Sequence, residues 1–372
     1  MKQNWERKHI ADICEKASSN IAQNKLEGVD GEYPVYGASG FVQNVDFYQR
    51  DTEYIGIVKD GSGVGRVNTY PAYSSLLGTM QYILPKKGYL LQFVSYALKS
   101  LNLASFASGA AIPHIYFKDY GKCEISVPPL MEQSRIVAEL DLLTGIIDKQ
   151  KAQLKELDNL AQSIFYDMFG DPIENPKGWN VQLLKQHTTK IGSGATPKGG
   201  NESYKSEGIP LIRSLNVYNG TFKYKDLAHI DDEQAAALDN VILLSGDVLL
   251  NITGASVARC CIVPSDLVSG RVNQHVAILR PKDSLKSVFL CAQLISSGYQ
   301  RKLLHDSKAN GATREALTKS QLEGLPVIIP PLKLQQEFAD KITAIASQKS
   351  AINLSMAETQ KLLDYTMDKY FG

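Results

Sequence analysis

Residues 127–135 read VPPLMEQSR and residues 329–337 read IPPLKLQQE. Each opens a block that closes on Phe-Gly: SIFYDMFG at 163–170 and YTMDKYFG at 365–372. The blocks align without a gap at an offset of 202 residues, placing Pro128 on Pro330, Pro129 on Pro331, Leu130 on Leu332, Gln133 on Gln335, Leu160 on Leu362, Phe169 on Phe371 and Gly170 on Gly372. The register reaches upstream, with Ala107-Ser-Gly-Ala110 over Ala309-Asn-Gly-Ala312. A chain that repeats itself over this distance is two copies of one unit, and the repeat constrains the architecture more than any single motif.

Each block reads as a long helix. In the first, Ile136, Leu140, Leu143, Ile147, Gln150, Leu154, Leu157, Ala161, Ile164 and Met168 are spaced alternately four and three apart, a heptad seam with one polar interruption at Gln150. The second seam is Phe338, Ile342, Ile345, Lys349, Ile352, Met356, Thr359, Leu363, Thr366 and Tyr370, with Lys349, Thr359 and Thr366 intruding. The Pro-Pro pairs bar any earlier start, and Gly170 and Gly372 stop the helices. At about 1.5 Å per residue each helix spans roughly 55 Å. One apolar seam needs another to cover it, so the two are expected to pair as an antiparallel coiled coil; the other reading packs each on its own globule.

The regions ahead of the helices also correspond. Trp5 opens one (NWERKHIADICEK) and Trp179 the other (GWNVQLLKQHTTKI). EYIGIVKDGSGVGRV around Gly61 lines up with DVLLNITGASVARCC around Gly254, which sets Arg66 over Arg259. MQYILPK at 80–86 and HVAILRPK at 275–282 read as apolar strands ending in proline turns. Segments 89–101 and 287–304 read as amphipathic helices. The fold class expected is α+β: two mixed α/β globules, 1–127 and 171–328, each followed by a long helix, 128–170 and 329–372.

Composition narrows the function. A length of 372 residues with 44% hydrophobic content suits two or three domains with sizeable cores. No uninterrupted apolar run of 18 residues exists, so a membrane span is not expected. The N-terminus MKQNWERKHIADICEK lacks the apolar core of a signal peptide. Five cysteines (Cys14, Cys123, Cys260, Cys261, Cys291) form no CxxC pair, which fits reduced, buried thiols of a cytoplasmic protein and neither a disulfide framework nor a zinc site. The net charge is +1, but unevenly spread: residues 171–328 carry 18 Lys+Arg against 15 Asp+Glu, the helical block 129–170 carries 4 against 7. Such a chain contacts DNA only if its bases gather on one face.

Function in such a fold sits on the loops. The stretch KDGSGVGR at 59–66 lacks the Lys-Ser/Thr ending of a Walker loop and the full dinucleotide fingerprint. It is either a plain strand–turn–strand or a loop whose small residues let backbone N–H groups approach phosphates, with Arg66 and Arg259 contacting phosphate or guanine. The donor-rich candidates are Lys59, Ser62, Arg66 and Asn68 in the first copy, and Arg213, Ser214, Asn216, Asn251, Thr253, Ser256, Arg259, Arg271, Asn273, Gln274 and His275 in the second. Asn and Gln among them have the amide that matches an adenine edge.

Catalytic machinery is not found. HExxH, GxSxG, a helicase P-loop and the Asn/Asp-Pro-Pro-aromatic tetrapeptide of adenine methyltransferases are all missing from the sequence. Asp306-Ser-Lys308, with Asp283 upstream, has the Asp-x-Lys form of a nuclease but helical surroundings. No catalytic residue and no metal site is therefore assigned.

In this order and doubling, VPPL…EQ at 127–133, DMFGD at 167–171, IGSGATP at 191–197, GIPLIR at 208–213 and NQHVAILRP at 273–281 resemble the specificity subunit of type I restriction-modification enzymes over essentially the whole chain. One departure is KLQQ at 333–336, which lacks the acidic residue present at Glu132. The resemblance implies two target recognition domains, each reading half of an interrupted, asymmetric site in double-stranded DNA. It implies that the helices set the spacer between the halves. It also implies that they dock two methyltransferase (modification) subunits, with motor-nuclease restriction subunits joining them. No cofactor is implied on this chain; S-adenosylmethionine, ATP and Mg²⁺ belong to the partners. Two other readings remain: the specificity subunit of a system whose cleavage and methylation partner is one fused chain, and a structural coiled-coil spacer.

Overall fold

The computed structural model describes residues 5–109, 112–308 and 315–372; the Ala110 and Ala309–Ala312 part of the upstream register lies outside them. Five helices of nine residues or more carry the description: α1 (Leu91–Ser100), α2 (Leu130–Phe169), α3 (Ser287–Ile295), α4 (Ser297–Lys308) and α5 (Leu332–Phe371). The chain divides into two compact units, Met1–Lys151 with Asn353–Gly372, and Ala152–Ile352. Both long helices therefore contribute a half to each unit.

The described residues of the first unit hold nine strands: β1 (Glu6–His9), β2 (Cys14–Ser18), β3 (Tyr33–Gly37), β4 (Gly40–Val45), β5 (Tyr54–Val58), β6 (Val67–Tyr70), β7 (Ser75–Leu76), β8 (Met80–Pro85) and β9 (Glu124–Val127). Its main sheet runs β2-β8-β5-β6, a second runs β4-β3-β7 with β3 and β7 parallel, and β1 pairs with β9. Every residue of β5 is buried, as expected for a central strand of β-branched and aromatic residues. Gly56 in its middle is required by packing: a Cβ there would lie 2.5 Å from the ring of Tyr70.

The second unit repeats the plan. Its strands are β10 (Val181–Leu183), β11 (Thr188–Ser193), β12 (Ile209–Ile212), β13 (Val217–Tyr218), β14 (Thr221–Phe222), β15 (Ala228–Ile230), β16 (Val248–Asn251), β17 (Cys260–Ile262), β18 (Arg271–Val272), β19 (Val276–Pro281) and β20 (Pro326–Ile328). The main sheet is β11-β19-β16-β17, the second is β15-β12-β18 with β12 and β18 parallel, and β10 pairs with β20. Strand for strand this is the order of the first unit; among the described residues the β13–β14 hairpin has no counterpart there. One expectation needs correcting. The predicted helix 287–304 is two helices, because Ser296 takes an extended conformation (ψ 148°) and Gly298 packs against the Asp171 carboxylate, where a Cβ would lie 2.6 Å from Oδ2.

The helices pair antiparallel inside each unit. In the first, Ile136, Leu140, Leu143 and Ile147 are buried, as are Thr366 and Tyr370 of α5, with Leu363 half-buried. The Arg135 guanidinium donates to the Tyr370 hydroxyl at 3.2 Å, and the Gln150 amide to Ser355 Oγ at 3.0 Å, so numbers rise on one helix as they fall on the other. In the second unit Phe165 of α2 meets Phe338 of α5 at 5.7 Å, Ile345 is buried, and Lys349 pairs with Asp158. Leu154, Leu157, Ile342, Ile352 and Met356 are half-buried. The polar intruders are accommodated: Thr359 and Thr366 turn their hydroxyls onto the carbonyls of Ser355 and Leu362 at 2.9 and 2.7 Å. The end of α2 departs from the expected seam. Ile164 and Met168 are half-buried while Phe165 and Phe169 are buried beside Phe289 and Phe338, because the helix drifts off a 3.5-residue repeat and this aromatic cluster takes up its last turns.

A buried glutamine ties each helix start to its globule. Gln133 accepts the Leu90 N–H at 3.0 Å, which precedes α1, and donates to Pro128 O at 3.0 Å. Gln335 accepts the Lys286 N–H at 2.8 Å, which precedes α3, and donates to Pro330 O at 2.8 Å. Each side chain thus satisfies an orphan helix donor and the carbonyl of the first proline in its Pro-Pro pair.

Candidate nucleic-acid interface

The loop joining β5 to β6 and the loop joining β16 to β17 have one backbone. Val58 N–H donates to Arg66 O at 3.0 Å and Gly65 N–H returns to Val58 O at 2.8 Å; Asn251 N–H donates to Arg259 O at 2.8 Å and Ala258 N–H returns to Asn251 O at 2.9 Å. Gly65 and Ala258 both sit at positive φ, 85° and 72°, so the second copy holds an alanine where glycine is the unstrained choice. Gly61 N–H bonds Pro113 O and Gly254 N–H bonds Glu315 O, both at 2.9 Å. The strand–turn–strand reading describes these loops. The N–H groups of Gly61, Val64, Gly65 and Arg66 are spent on carbonyls of the chain itself and do not offer themselves to phosphate.

The side chains differ where the backbones agree. Arg66 is exposed but bent back, donating to Gly63 O and Ser62 O at 3.2 and 3.3 Å. Arg259 is half-buried over the Tyr218 ring at 4.5 Å, and Lys223 lies over the same ring at 3.8 Å. In the first unit Ser62 and Asn68 are exposed, and Lys59 is half-buried beside Asp60. Ser62, Asp60, Ser39, Gly40 and the exposed Phe41 border an open cleft of about 840 Å³.

Four candidates of the second unit are corrected. Asn251 and Asn216 are fully buried: Asn251 donates to Ser214 O at 2.9 Å, and Asn216 donates to Lys223 O at 2.8 Å while accepting the Arg213 N–H. Arg271 is buried, forking onto Asp239 at 2.7 Å and Ala235 O at 3.1 Å. Asn273 is buried and accepts the His275 N–H at 3.0 Å. All four side chains are buried and bonded to neighbouring loops, although Asn251 Oδ1 itself has no partner, so none presents a side chain to a base edge. What remains at the surface is Gln274, with half-buried His275, Thr253, Ser256, Ser214, Arg213 and Arg259. Thr253, His275 and Gln274 form one chain, with Thr253 Oγ1 to His275 Nδ1 at 2.6 Å and His275 Nε2 to Gln274 Nε2 at 3.1 Å; Gln274 also meets Thr196. The Arg213 guanidinium lies 5.1 Å over the Tyr204 ring.

Several residues of this surface were not singled out from sequence. Tyr218 and Tyr204 orient the arginines. Tyr224 is exposed and donates to Asp266 at 2.9 Å, and partial burial with that bond pushes its pKa up to about 12, keeping it a neutral donor. In the first unit His114 pairs with Asp60 across 54 positions and lies 4.1 Å from Tyr116, while exposed Tyr48 and Tyr73 pack edge to face at 5.2 Å. No sequence signal brings these pairs together; the aromatic content of the loops is the one hint. Asp306, the nuclease candidate, lies on α4 and pairs with Lys302 at 2.9 Å; among the described residues no cluster suited to a metal ion is found, and no helix is long and apolar enough to cross a membrane.

The fold is thus a duplicated α+β chain with two loop surfaces rich in donors and two long pairing helices. The family comparison gives it an identity: the chain belongs to the type I restriction-modification DNA specificity domain family, whose model matches it twice, over residues 2–159 and 176–358. Among its relatives is the MjaIX type I restriction enzyme specificity subunit of Methanocaldococcus jannaschii, 24% identical over an alignment of 280 residues that covers 69% of this chain and 62% of that one. The EcoDI specificity subunit of Escherichia coli is 21% identical and matches 99% of this chain and 88% of its own length. The same fold is seen in the S subunit of a type I restriction-modification system from M. genitalium, with a TM-score of 0.63 at 15% identity over 99% of this chain and 96% of that one.

Proposed function

We propose that the chain reads an interrupted, asymmetric sequence in double-stranded DNA, one half-site for each copy of the duplicated fold, and performs no chemistry itself. Residues 1–127 and 171–328 act as the readers, and the helices 128–170 and 329–372 fix the spacer between them. Methylation of adenine and cleavage belong to partners: two modification subunits holding S-adenosylmethionine, and restriction motor-nuclease subunits using ATP and Mg²⁺. The complex works in the cytoplasm. The observation that supports this most is the common loop backbone with unlike side chains, Arg66 bent onto its own loop and Arg259 stacked on Tyr218. A pseudo-symmetric scaffold with two unlike surfaces suits an asymmetric site, as identical surfaces suit a palindrome.

The test is co-expression with a modification subunit encoded beside it, followed by mapping of N6-methyladenine across the host genome. A single interrupted motif methylated on both strands is the expected result. A chain that forms no complex and binds DNA without salt dependence between 50 and 200 mM would instead be a spacer, since phosphate contacts lose orders of magnitude in affinity over that range.

A further inference from the structure

The internal repeat lets a position of one unit be set against its equivalent in the other, and at one buried position the two differ in a way that leaves a space. The N–H groups held by Gln133 and Gln335 set Leu90 against Lys286, which sets Phe93 against Phe289, both fully buried, and Tyr96 against Ala292. In the first unit the Tyr96 ring is buried and its hydroxyl donates to Asp141 Oδ1 on α2 at 2.6 Å, with Thr144 Oγ1 at 3.3 Å. The 202-residue offset puts Thr343 in place of Asp141 and Ala346 in place of Thr144. The second unit therefore lacks the ring, its acceptor and the neighbouring hydroxyl together. Where the ring would stand there is a cavity of about 520 Å³, bordered by Phe165, Ala292, Ile295 and Ala346 and by the Asp158–Lys349 ion pair.

We infer that this cavity is a binding site for a small planar aromatic molecule carrying one hydrogen-bond donor, of the phenol or indole class. The occupant's chemistry is written in the other copy, where a phenol ring fills the matching slot and donates to a carboxylate. The walls are mostly apolar, with Gln162, Asn219, Thr221 and Ser296 among the polar lining and the Asp158–Lys349 pair at one side; the Asp158 carboxylate offers the acceptor that Asp141 provides to Tyr96. The volume falls within the roughly 300–1,000 Å³ of small-molecule sites, which are lined mainly by apolar side chains with a few placed polar groups that fix the ligand's orientation. The first unit carries its aromatic group on the chain; the second takes it from solution. This assignment is independent of what the loops read.

The full chain is titrated with p-cresol and with indole, and with cyclohexanol as the non-aromatic control, by ligand-observed saturation-transfer NMR and by thermal shift. The expected result is saturable binding of both aromatic probes with a rise in melting temperature. Binding should be at least tenfold weaker in Ala292→Tyr, which supplies the ring, and in Ala346→Leu, which fills the slot from the opposite helix. If Ala292→Tyr does not fold, Ala346→Leu decides. Absence of saturable binding to the natural chain up to the solubility limit, equal affinity in the filled variants, or cyclohexanol binding as tightly as p-cresol would each overturn the assignment.

Discussion

The β5–β6 and β16–β17 loops share their hydrogen bonds and differ in what holds their arginine, Arg66 against its own carbonyls and Arg259 against the face of Tyr218. The backbone is the conserved part of the design and the side-chain anchoring is the variable part. A sheet of identical strand order fixes where a loop leaves and re-enters, so the loop can change its donors without disturbing the core. The buried polar residues divide along the same line: Asn216, Asn251, Arg271 and Asn273 belong to the scaffold, Gln274 and Arg213 to the surface.

The comparison breaks most completely if the two copies are not independent. Exchange of residues 171–328 for the matching region of another family member is expected to replace one half of the methylated motif and leave the other half unchanged; a change in both halves ends the reading of two separate readers. The helices give the next largest effect. Seven residues inserted after Gln150, matched by seven before Ser355 to preserve their contact, are expected to lengthen the preferred spacer and leave both half-sites alone. Methylation mapping reads out both experiments, and an unchanged spacer would remove the helices from the measurement of distance.

Much of this architecture is legible in the sequence because it is local or periodic. The Pro-Pro-Leu starts, the terminal glycines and the heptad spacing mark both 40-residue helices, and Val/Ile/Leu/Tyr runs mark β5, β8, β16 and β19. The candidate interface is far less legible. Asn251 ends strand β16 and Arg271 opens strand β18, yet as polar residues beside loops they look no different in sequence from Gln274 and Arg213, and only the folded chain shows that the first two are buried. Pairings such as His114 with Asp60 join segments that no spacing relates. The contrast of Tyr96 with Ala292 appears once Gln133 and Gln335 fix the register between the short helices, since α3 and α4 break at Ser296 and blur the alignment there.

Those glutamines sharpen the comparison at the level of stability. Gln133→Leu and Gln335→Leu conserve bulk but strip a helix-terminal N–H and a proline carbonyl of their buried partner. Each is expected to cost roughly 1–3 kcal/mol, the range for leaving a buried polar group unmet. Denaturant unfolding of the single and double variants tests this. The two costs should add, because each glutamine serves its own unit and shares no partner with the other.

The smallest expected effects separate charge from aim at the second loop. Arg259→Ala and Arg66→Ala each remove one cation, so each should lower the slope of log affinity against log salt by about one if the arginine neutralises a phosphate. Tyr218→Leu removes no charge. It takes away the ring over which Arg259 and Lys223 both lie, a contact worth about 0.5–1 kcal/mol at a partly exposed site. The expected outcome is a loss of about two- to fivefold in DNA affinity with the salt slope unchanged, confined to the half-site read by the second unit. Binding measured at several salt concentrations checks both quantities together. An unchanged slope in Arg259→Ala, beside a clear loss in Tyr218→Leu, would mean that this arginine reads a base edge and that its aim, not its charge, is what the aromatic ring provides.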